Sequence, residues 1–432
     1  MFKVIKSLIA VFGFCIFSAS QAQERNLSTS YDYGDVTKDV SDISFYQPPA
    51  NADTCKLNES WTKKDITARN IIFLIGDGMG IAQVQLASLK AVGAEGKLYM
   101  EKLPVTGLMT THSANSHVTD SAAAGTALAC GIKTSNGMVG MDPDKTPYKN
   151  ILEVAQHEGM RTGLVATSTI THATPASFAS HVASRGNQEK IAAQILGHGV
   201  NVLFGGGKKY WLPDGRKDSR DLINEARSKG YKIVSNSSDL KDVQETHVLG
   251  LFNKGPLTTF SPEPPLPELT RKAIDILDRE NQNGTGFFEK LVKKGNALLK
   301  REPEKEKGFF LMVEGSQIDW ACHANNADNC IKQTLLFDLA VKEAVEFAKQ
   351  DEETLVVITA DHECGGMTVF GGDVKNNKPQ PKWSSSGHSA VTVPIYAFGP
   401  GARLFSGVMD NTAVSAAIAD VMGIKKFPIR SH

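Results

Sequence analysis

Apolar runs of strand length recur along the chain at 71–75, 162–166, 200–204, 309–313, 355–359 and 393–398. Short, continuous runs of this kind suit strands buried on both faces. Between them, the stretches 151–158, 189–196 and 333–350 space their apolar side chains at helical intervals. Strand and helix in alternation predict an α/β fold, one large domain whose central, mostly parallel sheet is flanked by helices on both faces. Residues 24–64 show little periodicity and many polar side chains, so an irregular N-terminal arm over 23–65 is expected, with the folded domain running from 66 to 432. The Lys/Glu-rich stretch 280–306 reads as a solvated insertion, and 371–386, rich in Asn, Pro and Lys, as a long loop bordering a pocket near His388.

Chemistry-bearing residues fall where these elements end. The run Val118-Thr119-Asp120-Ser121-Ala122-Ala123-Ala124-Gly125 sets one hydroxyl among small residues where a helix should begin. There Ser121 would meet an anion beside free backbone N–H groups and a positive helix terminus. Asp120 or Ser121 as an ordinary N-cap is the plainer alternative. Asp77, bracketed by Gly76 and Gly78, follows the apolar run 71–75, and open α/β sheets bind ligands at such strand ends. Glu314 ends the run 309–313, and beyond it Asp319-x-x-x-His323 places a carboxylate and an imidazole on one helical face. Asp361-His362 sits at the tip of 355–359, and His388 lies in a Gly/Ser loop before 393–398. Each alone could be a surface pair or a satisfied turn. Gly205-Gly206-Gly207-Lys208 lacks the Gly-Lys-Ser/Thr ending of a P-loop and reads as a turn.

Taken together, Gly76-Asp77-Gly78-Met79-Gly80, Asp120-Ser121-Ala122, His172-Ala173-Thr174-Pro175-Ala176, Val313-Glu314-Gly315, Asp361-His362-Glu363 and Gly387-His388-Ser389 resemble the motifs of the alkaline phosphatase family, in the family's order, from about Arg69 to the C-terminus. The resemblance implies a metal-dependent phosphomonoesterase of broad specificity, acting on small phosphate monoesters through a phosphoserine on Ser121. It implies that Arg185 grips the phosphoryl oxygens. One zinc would be held by Asp319, His323 and His388, a second by Asp77, Asp361 and His362 with Ser121, and a magnesium by Asp77, Thr174 and Glu314. The residue types agree: mixed imidazole and carboxylate donors suit Zn2+, and an all-oxygen set suits Mg2+. His172 and Trp320 depart from familiar members, which carry Asp at the first position in some bacteria and Lys or His at the second; both would stand just behind the metal ligands. The family also implies a homodimer. A phosphodiesterase of the same superfamily is the nearest rival reading, and a catalytically silent phosphate-binding protein is the rival from another class. A sulfatase is not expected, because Ser121 lacks the Cys/Ser-x-Pro-x-Arg setting.

Lys+Arg and Asp+Glu balance at 47 each in 432 residues, so no bulk field favours nucleic acid or an anionic membrane. At the N-terminus, Lys3 and Lys6, the apolar run 8–17 and Ser20-Gln21-Ala22 predict a secretory signal peptide over 1–22, hence a periplasmic or secreted enzyme without a lipid anchor. Five cysteines follow it. Cys322 and Cys330 are near enough in sequence for a disulfide, and Cys322 and Cys364 flank His323 and His362, though both zinc sets are complete without a thiolate.

Overall fold

In the computed structural model, which describes residues 38–50, 55–62, 66–279 and 307–431, ten strands form one sheet. In chain order they are β1 (Asn70–Gly76), β2 (Val105–Thr110), β3 (Arg161–Thr169), β4 (Val202–Gly206), β5 (Lys232–Val234), β6 (Val248–Leu251), β7 (Phe309–Gly315), β8 (Thr354–Ala360), β9 (Val393–Phe398) and β10 (Gly407–Asp410). Their order across the sheet is β10-β2-β9-β8-β1-β7-β3-β4-β6-β5. β9 pairs antiparallel with both its neighbours and every other pairing is parallel, so the sheet is mostly parallel as the alternating pattern predicts.

Every residue of the three central strands β8, β1 and β7 is buried. Side chains alternate between the two faces of a strand, so burial of all of them requires cover on both faces. The long helix Ala327–Asp351 packs on these strands and against the helices Leu266–Asp278 and Ile81–Val92. No helix among the described residues is long and apolar enough to cross a membrane.

The expected leader, 1–22, and the expected insertion, 280–306, lie outside the described residues. Within the arm, residues 38–50 and 55–62 are irregular apart from the 3-10 turn Glu59–Thr62. Two aromatic side chains fasten this stretch to the domain: Trp61 meets Phe398 edge-on, and the Tyr46 hydroxyl donates to buried Asp338 at 2.7 Å. The expected loop 371–386 is corrected by the structure, since most of it belongs to an antiparallel hairpin, Met367–Asp373 with Lys378–Trp383. The hairpin's outer residues are largely exposed, Phe370 and Val374 included, so no buried face imposed the alternation by which a strand is read from sequence.

Candidate active site

Three carboxylates stand at the carboxyl ends of the three central strands. Gly76 is level with Gly315 on one side and Ala360 on the other, so Asp77 and Asp361 emerge next to each other and Glu314 lies one residue back on β7. Gly78 makes this turn possible. Its φ is +71°, and a Cβ there would come within 2.8 Å of the Asp319 Cα, so the loop after β1 lies directly on the helix Gln317–His323. The Gly78 N–H donates to Asp361 Oδ1 at 3.1 Å, as does the His362 N–H at 2.9 Å, which leaves Oδ2 for other partners.

Ser121 is the first residue of the helix Ser121–Cys130, while Asp120 caps it by accepting from the Ala123 N–H at 3.0 Å. The cap and the presented hydroxyl are therefore two neighbouring residues rather than alternatives. The small side chains that follow let the helix lie fully buried, so the Ser121 Oγ is delivered into the site by a rigid element.

Three oxygens converge on His362. Its Nε2 lies 3.3 Å from Ser121 Oγ, 3.2 Å from Asp361 Oδ2 and 3.5 Å from Asp77 Oδ1. One N–H could serve only one of these oxygens, and both carboxylates are fully buried. A second cluster has the same character. His323 Nδ1 donates to the Ser386 carbonyl at 2.6 Å and His388 Nδ1 to that of Thr119 at 2.8 Å, which turns both Nε2 atoms inward, 3.1 Å apart. Asp319 reaches them with Oδ2 at 3.2 Å and Oδ1 at 3.4 Å. Two inward imidazole nitrogens and a carboxylate, with their outer nitrogens fixed by carbonyls, form a metal-ligand arrangement. Burial works to raise the pKa of Asp319, but its contacts with His323 and His388 outweigh this and hold it well below the usual carboxylate range. The Asp319 contact in turn raises His323 to about 9.

The third cluster is all oxygen. Burial pushes Glu314 up to about 7, against the Ser316 and Ser168 hydroxyls that donate to its Oε2 at 2.6 and 3.2 Å. Asp77 rises well above its ordinary value through burial first, then the charges of Asp361, Asp319 and Glu314. Glu314 Oε1, the Thr174 hydroxyl and both Asp77 oxygens are buried without a hydrogen-bond partner. Uncompensated buried carboxylates of this kind are costly unless cations join them. The donor sets thus fit metal ions: Asp77, Asp319 and His362 can converge on one, Asp77, His172 and Glu314 on another, and Asp319, His323 and His388 on a third with Cys364 nearby. Cys364 sits opposite His388 in a two-residue ladder, and its thiol points to the Asp319 carbonyl. The Cys322 thiol donates to Cys330 Sγ at 3.6 Å, and the two form no disulfide.

Arg185, the cation that the family resemblance nominates, is held here by two residues. Asp120 Oδ2 accepts from its Nη1 at 3.1 Å, and His172 Nε2 accepts from its Nη2 at 3.2 Å. Burial first, then the Arg185 charge, lowers His172 to about 4, so the ring is neutral and can accept. Trp320 packs edge-on against His172, with ring centroids 5.9 Å apart. The structure thus brings every nominated residue to this end of the sheet. Sequence reasoning missed Asp120 as the anchor of Arg185: its capping role was visible, but its second oxygen serves a residue 65 positions away.

The alkaline phosphatase family model matches residues 68–381. Alkaline phosphatase 4 of Bacillus subtilis is 34% identical, over 84% of this chain and 91% of that one. Among solved structures, the alkaline phosphatase of the Antarctic bacterium TAB5 is 34% identical and superposes with a TM-score of 0.72, covering 83% of this chain and all of that one. A variant of the TAB5 enzyme with one histidine changed to glutamate, 33% identical over 84% of this chain and 99% of its own with a TM-score of 0.71, is described with magnesium bound in the M3 site.

Proposed function

The chain belongs to the alkaline phosphatase family and hydrolyses phosphate monoesters, and within that activity we propose that Ser121 is the covalent nucleophile of a three-metal site. The observation that carries the proposal is the convergence of Ser121 Oγ, Asp77 and Asp361 on His362 Nε2, all within 3.5 Å. Asp319, His323 and His388 would hold one zinc, Asp77, Asp361 and His362 with Ser121 a second, and Asp77, Thr174 and Glu314 a magnesium. When bound, the ions supply Lewis-acid stabilisation of the charge that develops on the oxygens in transfer.

The chain's own residues account for the rest. The guanidinium of Arg185, anchored by Asp120 and His172, would offer its remaining N–H groups to two phosphoryl oxygens. Ser121 Oγ gives up its proton to solvent and forms a bond to phosphorus from the helix terminus, while the leaving oxygen departs with the electron pair of its P–O bond and takes up a proton from water to become the alcohol. Water then attacks the phosphoserine from the side the alcohol left, the Ser121 O–P bond breaks, and inorganic phosphate is released. Two in-line displacements retain configuration at phosphorus. A neutral Trp320 adds no charge to bound phosphate, so product is held by Arg185 and the metals. The apolar run 8–17 behind two lysines supports export, and the family supports a homodimer.

The test is rapid acid quench of the metal-loaded enzyme with labelled p-nitrophenyl phosphate. We expect label on Ser121 in the parent, turnover reduced about 10³-fold or more and no labelled protein in Ser121→Ala, and loss of activity on chelation that zinc and magnesium restore. Near-parental turnover of Ser121→Ala, or inversion at a chiral phosphorus, would rule out the covalent route. Retained catalysis with phosphodiesters preferred would favour the rival esterase reading.

A further inference from the structure

Glu153, His181 and His198 form a donor cluster that the phosphatase chemistry does not use. Glu153 lies in the first turn of the helix Ile151–His157, His181 follows the helix Ala173–Ser177, and His198 ends the helix Gln188–His198. The side chains are mostly buried, with exposures of 15%, 14% and 26% in that order.

Their donor atoms meet at ligand spacing. His181 Nε2 is 3.1 and 3.2 Å from the two Glu153 oxygens. His198 Nδ1 is 3.6 Å from Glu153 Oε1, longer than a hydrogen bond. One donor atom from each residue falls within 4.8 Å of the others. Donors at about 2.0–2.1 Å from a tetrahedral ion stand roughly 3.3–3.4 Å from one another, so the observed separations need little adjustment. The supporting contacts are built as well. His181 Nδ1 donates to the Gly140 carbonyl at 2.7 Å, which directs Nε2 inward, and the Asn150 N–H fixes Glu153 Oε2 at 2.9 Å. Gln194 accepts from the His181 N–H at 2.7 Å and donates to its carbonyl at 3.2 Å, tying His181 to the helix that carries His198.

We propose that His181 Nε2, His198 Nδ1 and a Glu153 oxygen bind a fourth metal ion, a divalent transition metal of the zinc class, with water completing its shell. Two imidazoles and one carboxylate, held by three separate elements, suit zinc and disfavour magnesium or calcium. The ion would pin together two helices and the segment leading from His181 to Arg185. That segment is laced to the strip behind Ser121: Val182 pairs with Val139, and the Arg185 N–H donates to the Gly137 carbonyl at 2.8 Å. Bound metal would therefore stiffen the approach to Arg185 from outside the catalytic cluster.

Zinc per chain, counted by mass spectrometry after equilibrating the metal-loaded enzyme across buffered free-zinc concentrations, tests this directly. The comparison is with His198→Ala, which alters a partly exposed side chain and leaves the His181–Glu153 contact in place. The parent should hold one more zinc than His198→Ala, or bind its last zinc at least tenfold more tightly, while p-nitrophenyl phosphate turnover at low free zinc is the same in both. Adding His181→Gln as a second variant should remove the same equivalent. Identical zinc counts in parent and His198→Ala at every concentration would overturn the site and leave His181 and Glu153 as a proton-bridged ion pair. An extra zinc that survives in both variants would overturn it as surface binding. Catalytic zinc is common to all three proteins, so its assignment does not enter the difference.

Discussion

Arg185 has more partners than a phosphate-binding arginine strictly requires, and the more informative of them is His172. Its Nε2 accepts from Arg185, which leaves Nδ1 buried without a hydrogen-bond partner and the ring among the donors of Asp77 and Glu314. A neutral imidazole brings no charge to an all-oxygen cluster, whereas magnesium prefers hard anionic ligands and anionic groups around its water shell. His172→Asp should therefore tighten magnesium binding severalfold and make the cluster less open to zinc, while the new carboxylate still accepts from Arg185. Magnesium titration of chelated, zinc-restored parent and variant, followed by calorimetry, measures the change. Equal or weaker affinity in the variant would show that His172 serves Arg185 and Trp320 alone.

The elements matter through their ends, and the turn after β1 is the tightest of these. Gly78 combines a φ of +71° with a hypothetical Cβ contact of 2.8 Å to the Asp319 backbone, so any larger residue must push β1 and the helix Gln317–His323 apart. Gly78→Ala is expected to cost more than about 1 kcal/mol, the cost of a side chain at an incompatible φ. On the proposed ligand assignment it should also speed zinc loss to a chelator, because Asp77 and Asp319 ride on the two surfaces being separated. Parental melting temperature together with parental zinc release would refute this reading of the turn. The strands that deliver these residues were legible because β1, β7 and β8 are apolar throughout, and burial on both faces leaves no polar position to blur the run. β2 was not: it alternates buried Val105, Gly107 and Met109 with more exposed neighbours, and its glycine and threonines leave no continuous apolar run. β5, β6 and β10 span only three or four residues, below the length at which periodicity carries information. The site residues were readable as types at strand ends, but their partners were not. Asp120 reaching Arg185, and Glu153 reaching His181 and His198, are contacts between elements that no local pattern encodes.

At the scale of the whole molecule, the stretch before β1 is held to the domain by a few well-defined contacts, and the Tyr46 hydroxyl is the one with the clearest electrostatic signature. Its acceptor, Asp338, is fully buried in the long helix Ala327–Asp351 and also takes the backbone N–H groups of Tyr99 and Met100, each at 2.9 Å. Burial nevertheless pushes the Asp338 pKa up to about 6, the donors offsetting only part of the cost. A carboxyl whose folded pKa exceeds its unfolded value of about 3.9 favours the folded state at low pH, and that contribution is lost as pH rises through the folded value. Tyr46→Phe removes one donor from the ionised form, so it should raise the Asp338 pKa further and steepen the loss. Above about pH 7 the variant should be less stable by roughly 1.5–3 kcal/mol, the worth of a hydrogen bond to a charged group, and near pH 5 by about 1 kcal/mol, the worth of a neutral one. The residues around Tyr46 should also become more susceptible to proteolysis as their anchor weakens. Melting curves of parent and variant at pH 5 and pH 8, with limited proteolysis at pH 8, check both parts. Equal stability at pH 8, or a gap that widens on acidification, would mean that Trp61 and the surrounding packing hold this stretch without help from the buried carboxylate.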